Sequence, residues 1–215
     1  FWEDLVGPSA RGTFGGTVLM LNSQGDRKEL VDGQQRATTC TIFLAVLRDI
    51  AESLGATKMA TNIQENDIQC RDADTFVLSE YRLKTSLSCR EFFEKHVQSF
   101  PRETFEPVTR EHKRIAEAYS YFETQITKQL DSDGSAEAGL MALRSKVRDL
   151  VVVCIEVFND DAKFEIFESV NARGLSLSPA DLIKNHVLSK LRATDHSSAN
   201  QKWVESSARC DEVDM

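Results

Sequence analysis

Apolar positions recur at helical spacing in several stretches of this chain. The clearest runs through Cys40, Phe43, Leu44, Leu47, Ile50, Ala51 and Leu54. That i, i+3, i+4, i+7 stripe, widened by Ile42 and Val46, predicts a core helix from about Ala37 to Leu54, stopped by Gly55. Ile115, Ala118, Tyr119, Phe122, Ile126 and Leu130 predict a second long helix starting near Thr109. Leu140, Leu143 and Val147 predict a third, and the last two together read as a helical hairpin. Phe1 to Val6 reads as the end of a helix stopped at Gly7-Pro8-Ser9.

Strand patterns are fewer. Thr13 to Leu21 is strand-like, and its Gly15-Gly16 pair predicts a bulge or a close backbone approach. A turn at Asn22 to Asp26 and a return strand over Arg27 to Val31 make a hairpin. Phe76 to Ser86 alternates enough for a strand or hairpin, whereas residues 56–74 are polar and weakly patterned. Ser88-Cys89-Arg90-Glu91 has the form of a capping box ahead of Phe92-Phe93. Leu150 to Phe158 is a nearly continuous apolar run, the pattern of a strand covered on both faces. Pro101 and Pro107 bracket a connection, which divides the chain into residues 1–107 and a mainly helical region, residues 108–215. The fold class expected from these elements is α+β.

The most informative segment lies where the hairpin meets the first long helix. Asp32-Gly33-Gln34-Gln35-Arg36 follows a short strand and opens the helix. Glycine there lets backbone approach a ligand, and the first helical N–H groups lack intrahelical partners and favour an anion. Arg36 adds a planar guanidinium suited to phosphate oxygens, and Thr38 and Thr39 place hydroxyls in the same turn. An ordinary turn with a surface arginine explains the same letters equally well.

A second constellation lies near the other end. Phe164 to Val170 reads as a short amphipathic helix ended by Asn171-Ala172-Arg173-Gly174. Ser178-Pro179-Ala180-Asp181 is then a strong helix start, and the helix beyond it is expected to bury Leu182, Ile183, Val187 and Leu191. Asp181 is explained as a capping carboxylate. Lys184 and Asn185 have no such local explanation.

Composition narrows the function classes. The chain has 215 residues, 41% hydrophobic and 28% charged, with a formal net charge of −8. A balance that acidic argues against holding duplex nucleic acid by charge alone, though a local basic pocket for a nucleotide is compatible with it. The five cysteines are widely scattered, which favours reduced thiols and a cytoplasmic setting; Cys40 and Cys154 fall in apolar patterns and are expected to be buried. The four histidines lack zinc-site spacing. No apolar run approaches the length of a membrane span. The chain starts at Phe1-Trp2 without methionine, as a piece of a longer protein would.

Taken together, Val31 to Thr39 (VDGQQRATT) and Phe164 to Asn185 (FEIFESVNARGLSLSPADLIKN) resemble the N-terminal domain of GmrSD-type restriction endonucleases, a family built on a ParB/sulfiredoxin-like core. Phe1 to Leu5 and Phe14 to Val18 also match the segment leading into the DGQQR motif. The resemblance implies a ParB/sulfiredoxin-like sub-domain with a small mixed sheet in residues 1–107, followed by the helical sub-domain. It implies modification-dependent restriction in phage defence, with a DGQQR domain that binds and hydrolyses a nucleoside triphosphate. DNA is cut by a partner domain or subunit, often of HNH type. Gly33 and Arg36 then belong to a phosphate-binding turn, with Thr38 and Thr39 beside them. Asp32 is placed to hold Mg2+, and Gln34 or Gln35 to orient a water for in-line attack. Asn171, Arg173, Asp181, Lys184 and Asn185 match the second motif, and Asn171, Arg173, Lys184 and Asn185 are assigned to the same nucleotide site.

The chain departs from the family pattern in three ways. The strand resembling P-x-Y-Q-R-x-Y-x-W that usually precedes this segment is absent. Alanine stands at position 37 where a larger apolar residue is common. No HNH-like histidine cluster follows residue 195. Two other readings compete: direct DNA cleavage by the ParB-like core with Asp32 holding a metal, and a non-catalytic sensor or scaffold for modified DNA.

Overall fold

The computed structural model describes residues 1–6, 14–22, 27–71, 78–132 and 135–158, with scattered positions from 183 to 206. It is an α+β arrangement of helices with a three-stranded mixed sheet, in the order β2-β1-β5, and a separate two-stranded sheet, β3-β4. In chain order the elements are α1 (Trp2–Val6), β1 (Phe14–Leu21), β2 (Glu29–Asp32), α2 (Gln34–Ser53), α3 (Thr57–Ile63), β3 (Gln69–Arg71), β4 (Leu78–Tyr81), α4 (Arg90–Phe93), α5 (Arg110–Ser132), α6 (Ala136–Arg148) and β5 (Val151–Val157). Single π-helical turns extend α3 over Gln64–Ile68 and α4 over Glu94–Gln98.

Two compact units divide the chain. The first comprises Phe1–Gly16 and Gln34–Val152, the second Thr17–Gly33 and Val153–Met215. The proline-bracketed segment at 101–107 lies inside the first unit, where helices from both sides of it share one core.

In the first unit α2 is the axis. Every residue from Ile42 to Arg48 is buried, so this helix is surrounded rather than merely half-covered. Phe43 meets Phe122 edge-on at 5.3 Å between ring centroids, and Phe1 and Trp2 flank it at 6.2 Å each. Such edge-to-face contacts add to the burial itself. From α5, Ile115, Tyr119, Phe122 and Ile126 point inward, and from α6, Leu140, Leu143 and Val147 do, as their spacing predicts. Gly55 ends α2 with φ +79°, its N–H donating to Glu52 O and that of Ala56 to Ala51 O. That pair of bonds is a Schellman stop. Leu54, expected on the buried face, is 55% exposed because it is the last residue before this stop.

Other expectations need correction. The weakly patterned stretch after Gly55 forms α3 and its π turn, burying Ala60, Ile63 and Ile68. Spaced at 3 and 5, these apolar residues do not repeat regularly, since the wider π turn shifts the phase of the buried face. Ser88 does not cap α4; its hydroxyl donates to Glu111, and Cys89 takes the cap position without a side-chain bond. α5 does carry a side-chain cap, with the His112 N–H donating to Thr109 Oγ1 at 3.1 Å.

In the second unit, Leu19, Leu21 and Val157 form a small core with Val31 and Ile155 packed against it. The hairpin register pairs Leu19 with Asp32, Met20 with Leu30 and Leu21 with Glu29, with an irregularity between Leu19 and Met20. Lys28, just ahead of β2, and Glu156 of β5 form an ion pair that reaches over the central strand β1. β5 is a strand, as its apolar run predicts, but it is not covered on both faces. Val151, Val152, Val153 and Cys154 are exposed, and β5 lies at the margin of the three-stranded sheet. Ile183, Val187 and Leu191 repeat every four residues, as on one helix face, yet all three are exposed rather than buried.

Candidate functional site

The DGQQR segment forms the strand-to-helix turn that its residues predict. β2 ends at Asp32, Gly33 turns the chain with φ +94°, and α2 begins at Gln34. A Cβ at Gly33 would lie 3.0 Å from Val18 Cγ2 and 3.3 Å from Cγ1. Both the backbone conformation and the neighbouring valine therefore require glycine. Gly33 is buried and Asp32 partly so, while Gln34 and Gln35 are exposed.

The start of α2 carries no acidic residue in its first turn, and Gly33 has no side chain with which to cap it. The positive end of the helix dipole is therefore not offset by a carboxylate within the helix. Thr38 donates to Gln34 O, Thr39 to Gln35 O and Thr41 to Ala37 O, each at 2.8 Å. With its hydrogen committed to the preceding turn, each hydroxyl oxygen keeps only acceptor capacity. Both hydroxyls thus lie in the first turns of α2, close behind Arg36 in sequence.

Arg36 is partly buried and folds back on the start of β1. Its Nη1 donates to Gly15 O at 3.4 Å. Gly16 has φ +90°, and a Cβ built there would stand 2.8 Å from Arg36 Nη1, 3.1 Å from Cζ and 3.5 Å from Nε. The guanidinium thus occupies the space that any other residue at position 16 would fill. Gly15 is small for a different reason: its Cβ would meet Val152 Cγ1 at 3.0 Å. A glycine pair inside a strand signals close approach, but the sequence does not say of what; here one partner is the arginine of the DGQQR motif.

One turn beyond Arg36, Cys40 is partly buried rather than fully so, and burial pushes its thiol up to about 11, which keeps it protonated. Further along α2 lies a buried polar assembly that the apolar periodicity hides. Arg48 is fully buried and grips Asp49 through Nε–Oδ1 at 2.7 Å and Nη2–Oδ2 at 3.1 Å. It also donates to Gln64 Oε1, Val97 O and Gln98 O at 2.5, 3.1 and 3.1 Å. Gln64 and Gln98 belong to the two π turns, and Val97 to the second of them, so this guanidinium ties both turns to the helix that presents Arg36. The hint in the sequence is the charged pair Arg48-Asp49 inside the stripe Ile42 to Ala51.

Asn171, Arg173, Asp181, Lys184 and Asn185 lie outside the described residues. Among the described residues no group of three or more histidine, cysteine, aspartate or glutamate side chains is arranged to hold a metal ion. Among them, too, no helix is long and apolar enough to cross a membrane.

No curated protein matches the chain at a significant level. Residues 1–188 match the family described as GmrSD restriction endonuclease, N-terminal domain. That span contains the Gly15-Gly16 pair, the DGQQR turn and the second motif. The chain therefore belongs to the GmrSD restriction endonuclease N-terminal domain family and is a domain of a restriction endonuclease system.

Proposed function

We propose that the Asp32–Arg36 turn binds the phosphates of a nucleoside triphosphate and that hydrolysis of this nucleotide regulates DNA cleavage. The observation that carries the reading is the Arg36 guanidinium, held against Gly15 and Gly16 on the first turn of a helix whose dipole is not offset by a carboxylate of its own. A permanently charged, pre-placed fork at the positive end of a helix dipole is what a phosphate chain needs. Asp32 is the one carboxylate of the turn. That donor set fits Mg2+, which takes one or two carboxylates together with phosphate oxygens and water. When bound, the ion would neutralise phosphate charge.

The remaining chemistry falls to the chain's own groups. Arg36 holds the terminal phosphates and stabilises charge that develops as the bond between the γ-phosphorus and the β-phosphate bridging oxygen breaks. The exposed amides of Gln34 and Gln35 orient the attacking water, whose oxygen forms the new bond to the γ-phosphorus as its proton passes to a phosphate oxygen or solvent and the nucleoside diphosphate departs. Asn171, Arg173, Lys184 and Asn185 serve the same nucleotide. The ParB/sulfiredoxin-like architecture belongs to this reading, as does a cytoplasmic location. The net charge of −8 suits a module that regulates rather than grips DNA, and the DNA-cutting centre belongs to a nuclease domain or subunit of HNH type.

The test is thermal unfolding with Mg2+ and each of the common nucleoside triphosphates, alongside phosphate release with and without DNA. Nucleotide should raise the Tm of the parent and not that of Arg36→Ala, whose circular dichroism matches the parent. An identical response in both proteins would remove Arg36 from the site and overturn the reading.

A further inference from the structure

We infer that Gly16 is the positioning residue for Arg36: the missing side chain at this strand position is the seat that fixes where the guanidinium stands. The consequence for anion binding rests on the nucleotide reading above, whereas the seating itself does not. Three observations carry it. Gly16 has φ +90°, so the backbone there is shaped for glycine. The three atoms nearest to a Cβ at that position all belong to one side chain, Arg36 Nη1, Cζ and Nε at 2.8, 3.1 and 3.5 Å. The neighbouring Gly15 carbonyl accepts from Nη1 at 3.4 Å, which sets the direction of the group as well as its position.

The nature of the contact separates a positioning role from a structural one. A Cβ at Gly33 would press on Val18, a stiff branched side chain, so substitution there disturbs packing. A Cβ at Gly16 would press only on the far end of a long flexible side chain, which swings aside at little cost to the fold. What is lost is the pre-placement of the charge, the property that makes a guanidinium effective toward an anion. Gly55 supplies the matching control. Its φ of +79° is similarly left-handed, and a Cβ there meets nothing within 4 Å, so Gly55→Ala reports the backbone cost alone.

The experiment uses the full chain. The Arg36 Nε–Hε resonance is identified by its loss in Arg36→Lys and followed in Gly16→Ala and Gly55→Ala. Binding of inorganic tripolyphosphate with Mg2+ is measured on each protein. The expected result is a shifted or broadened Arg36 resonance in Gly16→Ala alone. Tripolyphosphate affinity should fall tenfold or more in Gly16→Ala, remain within twofold in Gly55→Ala, and fall no further in Gly16→Ala/Arg36→Ala than in Arg36→Ala. An unmoved resonance in Gly16→Ala overturns the inference, as does parent-like affinity in that variant when Arg36→Ala has lost it. If Arg36→Ala and the parent bind tripolyphosphate alike, the nucleotide reading fails while the resonance still judges the seating. Should Gly16→Ala not fold, relaxation of the Arg36 Nε–Hε group in the parent decides. Order well above that of the exposed Arg114 supports the seat, and equal mobility overturns it.

Discussion

Tyr119 donates its hydroxyl to Asp49 Oδ2 across 2.5 Å, joining α5 to α2 over a sequence separation of 70 residues. Burial, then the Asp49 charge and the hydrogen bond itself, hold the phenol well above its usual range, so it stays a donor. The same carboxylate takes two bonds from Arg48, and the Arg102 guanidinium lies 4.0 Å over the Tyr119 ring. Tyr119→Phe keeps the ring and removes only the donor. Stability should fall by about 1–3 kcal/mol, the usual worth of a hydrogen bond to a charged group, read from the urea midpoint. An unchanged midpoint would mean that water replaces the phenol without loss.

Arg48 is the more consequential member of that assembly. Arg48→Met fills much of the same volume but leaves Asp49, Gln64 and the carbonyls of Val97 and Gln98 without their donor. Losing one partner of a buried ion pair typically costs about 3–5 kcal/mol. The loss should exceed that of Tyr119→Phe in the same denaturation experiment. Because both π turns are tied to this side chain, hydrogen exchange at Gln64–Ile68 and Glu94–Gln98 should speed up more than in α6. Uniform acceleration throughout would show that the turns do not depend on it.

Gly33 and Val18 share one tight contact, so their variants are coupled. Gly33→Ala combines a backbone at φ +94° with a Cβ 3.0 Å from Val18 Cγ2. Strain of this backbone kind costs about 1–3 kcal/mol, and the valine contact adds to it. Adding Val18→Ala should therefore cost less in the Gly33→Ala background than in the parent, a positive coupling in a double-mutant cycle. Strictly additive losses would show that the valine does not resist the new methyl group.

His96 makes stability depend on pH in a definite direction. Burial, assisted by the Arg102 charge, holds its imidazole below the usual histidine range, and its Nδ1 has no hydrogen-bond partner among the described residues. The unfolded chain takes up this proton near pH ~6.5 while the folded chain resists it. Below that value the unfolded state binds more protons, so stability is fully present above ~6.5 and falls as the pH drops through it toward the folded value. Tm should decline between pH 7.5 and 5.5, about the window in which carboxylates are still ionised. In His96→Phe, which retains stacking against Phe92 at the 4.8 Å site, that decline should flatten. Equal slopes in both proteins would exonerate His96.

Much of the fold was legible because helical periodicity reports burial directly. Phe43, Leu44 and Leu47 on α2, Ile115 to Ile126 on α5 and Leu140 to Val147 on α6 all face inward where the pattern places them. α3 was not legible, because its π turn breaks the repeat that periodicity detects, and the exposure of β5 was not, because an apolar run does not reveal whether a strand is covered. Of the candidate site, the turn itself was readable: Asp32, Gly33 and Arg36 fall where strand ends, chain turns and helix begins. The second motif, Asn171 to Asn185, lies outside the described residues.

By itself, then, the chain of letters determined that α2, α5 and α6 are helices, that α2 stops at Gly55, and that a glycine-opened turn carries an arginine into the start of α2. Those are consequences of near-neighbour physics: φ preferences, capping and a 3.6-residue repeat act within a turn or two of their cause. Only the tertiary structure decided that Arg36 is seated on Gly16, twenty residues earlier, and that Arg48 gathers two π turns around one buried charge. Such pairings arise from how elements pack in three dimensions, and a glycine in the sequence marks an empty space without saying which side chain will fill it.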